Sequence, residues 1–249
     1  KNKLVSIFEH APGFLTFLQG GDFVFERANK AYSQLAGHRD IIGKPLLKAM
    51  PEITDQGFIE LLNEVYNTGK PYYGSELKVN LQKTPKAKVE EKYINLVYTP
   101  LKDVGGKIAG IVASGFDVTE QVQSRKLAEI SERRFRNLII DAPMPMSLYT
   151  GIDMVISLAN EAMIKVWGKD HSVIGKKLKD AVPELRGQPF LGLLKKVFTT
   201  GITYETDEMK ADLVVDGTLQ EFWLNFSYKP ILNADGTVYA ILNTAIDIT

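Results

Sequence analysis

Residues 28–66 read ANKAYSQLAGHRDIIGKPLLKAMPEITDQGFIELLNEVY, and residues 159–198 read ANEAMIKVWGKDHSVIGKKLKDAVPELRGQPFLGLLKKVF. The two stretches follow one pattern. Ala28-Asn29 returns as Ala159-Asn160 at a shift of 131, while Gly43-Lys44 and Pro51-Glu52 return as Gly175-Lys176 and Pro183-Glu184 at 132. Working outward, Ala11-Pro12 returns as Ala142-Pro143 and Gly69 as Gly201. Pro100 returns as Pro230, Gly106 as Gly236, and Asp117-Val118-Thr119 as Asp247-Ile248-Thr249. The shift drifts by only two residues along the whole copy, which marks an internal duplication.

Each copy carries the same local signals in the same order. Phe14 to Leu18 and Phe23 to Phe25 are β-prone runs separated by Gly20-Gly21-Asp22, which reads as a hairpin. Ala31, Tyr32, Leu35 and Ala36 follow at helical spacing and close on Gly37; Ala162, Met163, Val166, Trp167 and Gly168 repeat this. Phe58, Leu61, Leu62, Val65 and Tyr66 then predict a helix with one apolar stripe before Gly69. Its counterpart is Phe190, Leu193, Leu194, Val197 and Phe198 before Gly201. Three strands finish each unit, with Asp216-Gly217 and Asp235-Gly236 supplying hairpin turns in the second. The fold class is α+β with an antiparallel sheet, made twice: residues 1–119 and 142–249, joined through 120–141. That junction holds five basic and four acidic side chains among scattered apolar ones and lacks Gly and Pro, so it predicts an amphipathic helix. Asp117 and Thr119 are placed as its N-caps.

Composition narrows the function. The 30 basic and 30 acidic residues cancel, which argues against a nucleic-acid partner. There is no cysteine, which excludes disulfides and thiolate metal sites and fits a cytoplasmic location. No apolar run is long enough to predict a membrane span. No Gly-rich phosphate loop, His-Glu zinc pair or serine elbow stands out, so the reading is non-catalytic and metal-free. Gly20-Gly21-Asp22-Phe23 is similar to a diguanylate cyclase signature but lacks its acidic fourth residue, and it reads as a turn. Lys83, Lys86, Lys88 and Lys92 crowd the first copy's loop beside Glu90 and Glu91, and read as a solvated hairpin.

In the ordered set Ala-Pro, Ala-Asn, Gly-Lys, Pro-Glu and Asp-x-Thr, present twice, the chain resembles the PAS family of sensory domains. Glu132-Arg133-Arg134-Phe135-Arg136 resembles the lead-in to a second PAS copy. The resemblance implies a five-stranded antiparallel sheet flanked by short helices around a ligand pocket. It implies a sensory input segment of a signalling protein, typically a two-component sensor histidine kinase. The alternative is a ligand-free PAS scaffold for dimerisation or docking. Cofactors are unknown. Haem-binding relatives carry their histidine on the helix holding Phe58 or Phe190, and neither stretch has one; covalent flavin needs a cysteine on the first helix. His10, His38 and His171 read as surface-loop histidines.

Strand alternation and family topology together choose the pocket residues. Phe222, Leu224, Phe226 and Tyr228 alternate with Asn225, Ser227 and Lys229, and Tyr239, Ile241, Asn243 and Ala245 share a face of the last strand. Met163, Trp167, Phe226, Tyr228 and Asn243 are therefore placed in the second pocket, with Tyr32, Leu35, Tyr98 and Ala113 as the matching first-copy set. Asp117, Thr119, Asp247 and Thr249 are placed as the signal relay into following helices. Val122, Leu127, Ile130, Phe135 and Leu138 offer apolar surface for a homodimer through helices. Because Asp247-Ile248-Thr249 repeats a cap, the parent chain is expected to continue into a helix and then a kinase or another PAS unit.

Overall fold

The computed structural model describes residues 2–82 and 87–249. The chain forms two compact units, Lys1–Ala128 and Glu129–Thr249. The first contains α1 (Asn2–Glu9), β1 (Phe14–Gln19), β2 (Val24–Ala28), α2 (Lys30–Leu35), α3 (Leu46–Ala49), α4 (Phe58–Thr68), β3 (Tyr72–Gln82), β4 (Val89–Lys102) and β5 (Ile108–Asp117). Helix α5 (Thr119–Ile140) follows. The second unit then repeats the series: β6 (Met146–Thr150), β7 (Val155–Ala159), α6 (Glu161–Val166), α7 (Leu178–Ala181), α8 (Phe190–Thr200), β8 (Tyr204–Val215), β9 (Thr218–Leu232) and β10 (Val238–Asp247). Each unit is a five-stranded antiparallel sheet, in orders β2-β1-β5-β4-β3 and β7-β6-β10-β9-β8, with its short helices against one face.

Polar residues that recur between the copies turn out to hold the backbone in place. Asn29 and Asn160 are buried N-caps of α2 and α6. Asn29 Oδ1 accepts from the amides of Leu15 and Tyr32 at 2.9 Å, and its Nδ2 donates to the Gly13 carbonyl. Asn160 accepts from Met146 and Met163 at 3.0 Å and donates to the Ile139, Ala142 and Met144 carbonyls. One side chain thus ties the first strand, the second strand and the first helix together. Gly69 and Gly201 end α4 and α8 in the left-handed region, at φ 68° and 67°, where a side chain would be strained. The Pro-Glu motif supplies a second anchor. Arg39 makes a bidentate bond to Glu52, whose carboxylate also accepts from the Gln82 amide. Lys169 bonds Glu184 at 2.7 Å, and Glu184 accepts from the Val214 amide. Burial alone would raise both carboxyls, yet the paired cation and backbone amides outweigh it and hold them below the usual glutamate range.

Three sequence expectations change here. Tyr239 does not share the inward face: the register slips between Val238 and Ala240, so the face begins at Ile241 and Tyr239 is exposed. Val122 is 1% exposed and cannot contribute to a partner surface, whereas Leu127, Ile130, Phe135 and Leu138 are exposed. Lys92 is no loop residue; it lies in β4 and bonds Asp117 at 2.7 Å. Lys83 and Lys86 lie outside the described residues. The first copy's longer β3–β4 connection is visible in the register, since Leu81 pairs with Glu90 where Leu213 pairs with Gln220.

Candidate ligand cavities and the strand–helix latch

Alternation along the sheets sends one set of side chains toward the helices, and in each unit they stop short of filling the interior. In the first unit a void of ≈ 50 Å³ is bounded by Tyr32 and Leu35 of α2, Met50, Phe58 of α4, and Leu96, Tyr98 and Ala113 of the sheet. In the second a void of ≈ 30 Å³ is bounded by Tyr149, Met163, Trp167, Phe190, Phe226, Tyr228 and Asn243. One water needs roughly 10–15 Å³ of such space, so each void is small. The structure brings the five residues chosen in the second copy, and the four chosen in the first, to these walls. One pairing between copies changes. Trp167 is the C-cap of α6, and the C-cap of α2 is Ala36, so Leu35 corresponds to Val166 rather than to Trp167.

The wall chemistry differs between the two. In register, Thr16, Ala113 and Tyr98 form one row across the first sheet, and Ser147, Asn243 and Tyr228 form the matching row across the second. Thr16 Oγ1 donates to the Arg27 carbonyl at 2.6 Å, and Tyr32 Oη lies 3.7 Å from Met50 Sδ. In the second unit Asn243 Nδ2 lies 3.2 Å from Ser147 Oγ and 3.1 Å from Tyr149 Oη. Burial pushes the Tyr149 hydroxyl up to about 12 and raises those of Tyr32, Tyr98 and Tyr228 well above the ordinary phenol value, so all four are neutral phenols near neutral pH. Ser147 and Tyr149 were missed in the sequence. Alternation through Met146-Ser147-Leu148-Tyr149 could have put them on one face, but their partner Asn243 is 94 to 96 residues away.

None of the three histidines lines a void. His10, His38 and His171 are exposed, His10 against the Ser6 carbonyl and His171 against Glu161. Among the described residues no cluster of three acidic or histidine side chains could hold a metal ion. No described helix is long and apolar enough to cross a membrane.

The Asp-x-Thr triplets divide the task expected of them: Asp117 meets the first amide of α5, as a cap would, while the threonine turns to the sheet. Asp117 Oδ1 accepts from the Thr119 amide at 3.0 Å, but the Thr119 hydroxyl oxygen accepts from the amide of Tyr93 in β4 at 2.9 Å. The Val118 amide in turn donates to the Tyr93 carbonyl at 2.8 Å. The second copy repeats this on Trp223: the Thr249 oxygen accepts from its amide at 3.0 Å, and the Ile248 amide donates to its carbonyl at 2.9 Å. Each triplet is therefore a latch fastening the end of the last strand to the neighbouring strand. In the first unit α5 starts at the latch and is held down beside it. Arg125 makes a bidentate bond to Glu76 at 2.7 and 2.8 Å, and Lys126 Nζ lies 2.6 Å from Tyr93 Oη and 4.3 Å from its ring centre.

Two α+β domains in tandem, each closing a five-stranded sheet over a mostly apolar void and ending in a strand latch, are two copies of one fold. The chain belongs to the PAS fold family, which it matches over residues 8–123 and 143–249. Among solved structures it is similar to the VqmA dimer of Vibrio cholerae at 26% identity, covering 49% of this chain and 52% of that one with a TM-score of 0.38. It is similar to an RNA-binding Light-Oxygen-Voltage receptor at 12% identity over 96% of this chain and 94% of that one, TM-score 0.38. The PAS domain of the histidine kinase ThkA matches at 16% identity over 42% of this chain and 99% of its own length, TM-score 0.33. This chain spans little more than half the length of the VqmA chains it matches.

Proposed function

We propose that this chain is a non-catalytic sensory input segment that takes small molecules into its two voids and passes a shift of each sheet to the latch at its end, and in the first unit on to α5. One observation carries the reading: cavity wall and latch are consecutive residues. Ile94 lines the first void and pairs in register with Asp117, while its neighbour Tyr93 holds Thr119. Leu224 lines the second void and pairs with Asp247, while its neighbour Trp223 holds Thr249. A guest that moves β4 or β9 by a fraction of an ångström acts on the latch directly, and a two-state bias of a few kcal/mol is enough for signalling.

The output partner in this reading is a histidine kinase or a further PAS unit of the parent protein. The segment works as a cytoplasmic homodimer through the exposed Leu127, Ile130, Phe135 and Leu138 of α5, and without nucleic acid, in keeping with its balanced charge. Native mass spectrometry of freshly purified protein tests both parts. A retained small-molecule mass on a dimeric species supports the reading. Bare protein that also ignores added ring compounds supports the rival reading, a ligand-free scaffold, which the small size of the voids favours.

A further inference from the structure

Asn243 is 5% exposed, and its Oδ1 is buried with no hydrogen-bond partner, although its Nδ2 lies within reach of Ser147, Tyr149 and, at 3.9 Å, Met163 Sδ. A buried carbonyl left unpaired has lost its water without gaining a partner, which destabilises a fold. The first domain avoids that penalty by placing Ala113 at the matching position in the row. Asn243 also lines the ≈ 30 Å³ void, the space in which a partner for its oxygen would sit. The walls of that void carry no Asp, Glu, Lys, Arg or His, so a charged guest would stay unpaired. Five of the fourteen wall residues are aromatic: the Phe190, Phe226 and Tyr228 rings form a run with centroids 5.5 and 4.8 Å apart, and Tyr149 and Trp167 lie 6.5 Å apart. Met163, the unbranched side chain against the Asn243 amide, is the wall best able to yield to a guest larger than water.

We propose that the second domain selects a small neutral ring compound bearing an N–H or O–H donor, with Asn243 Oδ1 as its acceptor. The first domain, whose row is Thr16, Ala113 and Tyr98, admits apolar rings without that requirement. This rests on the reading of the voids as ligand sites, and the experiment separates the two ideas.

Phenol (a donor), toluene (same shape, no hydrogen-bonding group) and pyridine (an acceptor only) are titrated into the whole chain carrying ¹³C-methyl methionine. Met50 lines the first void and Met163 the second, so their methyl shifts report each domain separately. At Met163 phenol should bind roughly tenfold tighter than toluene or pyridine, the factor expected of one well-formed buried hydrogen bond. Asn243→Leu, which keeps the branch point and the number of side-chain heavy atoms but lacks the orphaned oxygen, should lose that preference while Met50 responses stay unchanged; Asn243→Ala, which adds no bulk to the void, gives an independent check. Equal affinity for phenol and toluene at Met163, tightest binding of pyridine, or a preference that survives both substitutions would overturn the donor assignment alone. If no probe perturbs either methionine, the ligand-site reading falls with it.

Discussion

The two domains share their polar framework and differ in what lines their interiors. Asn29 and Asn160 cap equivalent helices, Arg39–Glu52 and Lys169–Glu184 anchor equivalent turns, and both Asp-x-Thr latches fasten the same pair of strands. Gln56 and Gln188 even exchange the same two bonds with the backbones of Asn80 and Asp212. The walls behave otherwise. Ala36 gives way to Trp167, Ala113 to Asn243, and Leu18 to Tyr149 across the matching registers. Added bulk leaves ≈ 30 Å³ where the first domain keeps ≈ 50 Å³, and added polarity brings one unsatisfied oxygen. Backbone-holding bonds need a particular group at a particular distance and tolerate few alternatives. An apolar wall needs only comparable volume, so its chemistry is free to diverge.

That contrast can be broken at several points. Trp167→Ala removes the largest difference in bulk and should cost the second domain about 3–5 kcal/mol, with a widened void. Domain-resolved hydrogen exchange checks it, and a loss below about 1 kcal/mol would mean the indole does not set the void's size. Next come the caps. Asn29→Ala should cost the first domain roughly 2–3 kcal/mol by leaving buried amides unpaired. Asn160→Ala should cost the second domain more, because Asn160 also holds the Ile139 carbonyl at the end of α5. A reversed order in paired denaturant melts would contradict that account.

Smaller effects follow at the anchors. Arg39 is 10% exposed and Lys169 20% exposed, so Arg39→Met should destabilise its domain by about 2 kcal/mol and Lys169→Met by about 1 kcal/mol. The same pairs predict an acid limit. Glu52 and Glu184 have lowered folded pKa values, so their stabilisation is complete above the ordinary glutamate value near 4.3 and is lost as pH falls through the lowered one. Thermal melts from pH 6 to 2.5 should show both domains weakening in that window, with a flatter profile in the two Met variants. The smallest expected effect is at the latches. Thr119→Val and Thr249→Val should each cost about 1 kcal/mol, equally, because each removes one acceptor for a strand amide. Thr119→Val should also speed exchange at the start of α5, and an unchanged rate there would remove the latch from the relay.

Duplication was readable from residues 28–66 and 159–198, and the α+β class and strand alternation from the runs that flank them, because periodicity and turn residues are local properties. Alternation also carried Phe226, Tyr228 and Asn243 to the correct face of their strands, and helical spacing did the same for Met163. It failed at Tyr239, where one extra residue in the strand inverts the facing side and nothing in the local composition announces it. The latches show the same limit. Asp-x-Thr before a helical pattern reads as a cap, yet the threonine oxygen has two claimants, the helix amides and the strand amide 26 residues earlier in the chain. Sheet pairing brings Tyr93 and Trp223 close enough to take it. The sequence specified which polar groups must be satisfied, since every residue declares its donors and acceptors. Which partner satisfies each group, and that Asn243 Oδ1 is left without one, depends on chain segments distant in sequence meeting at hydrogen-bond distance, and that is a property of the folded sheet.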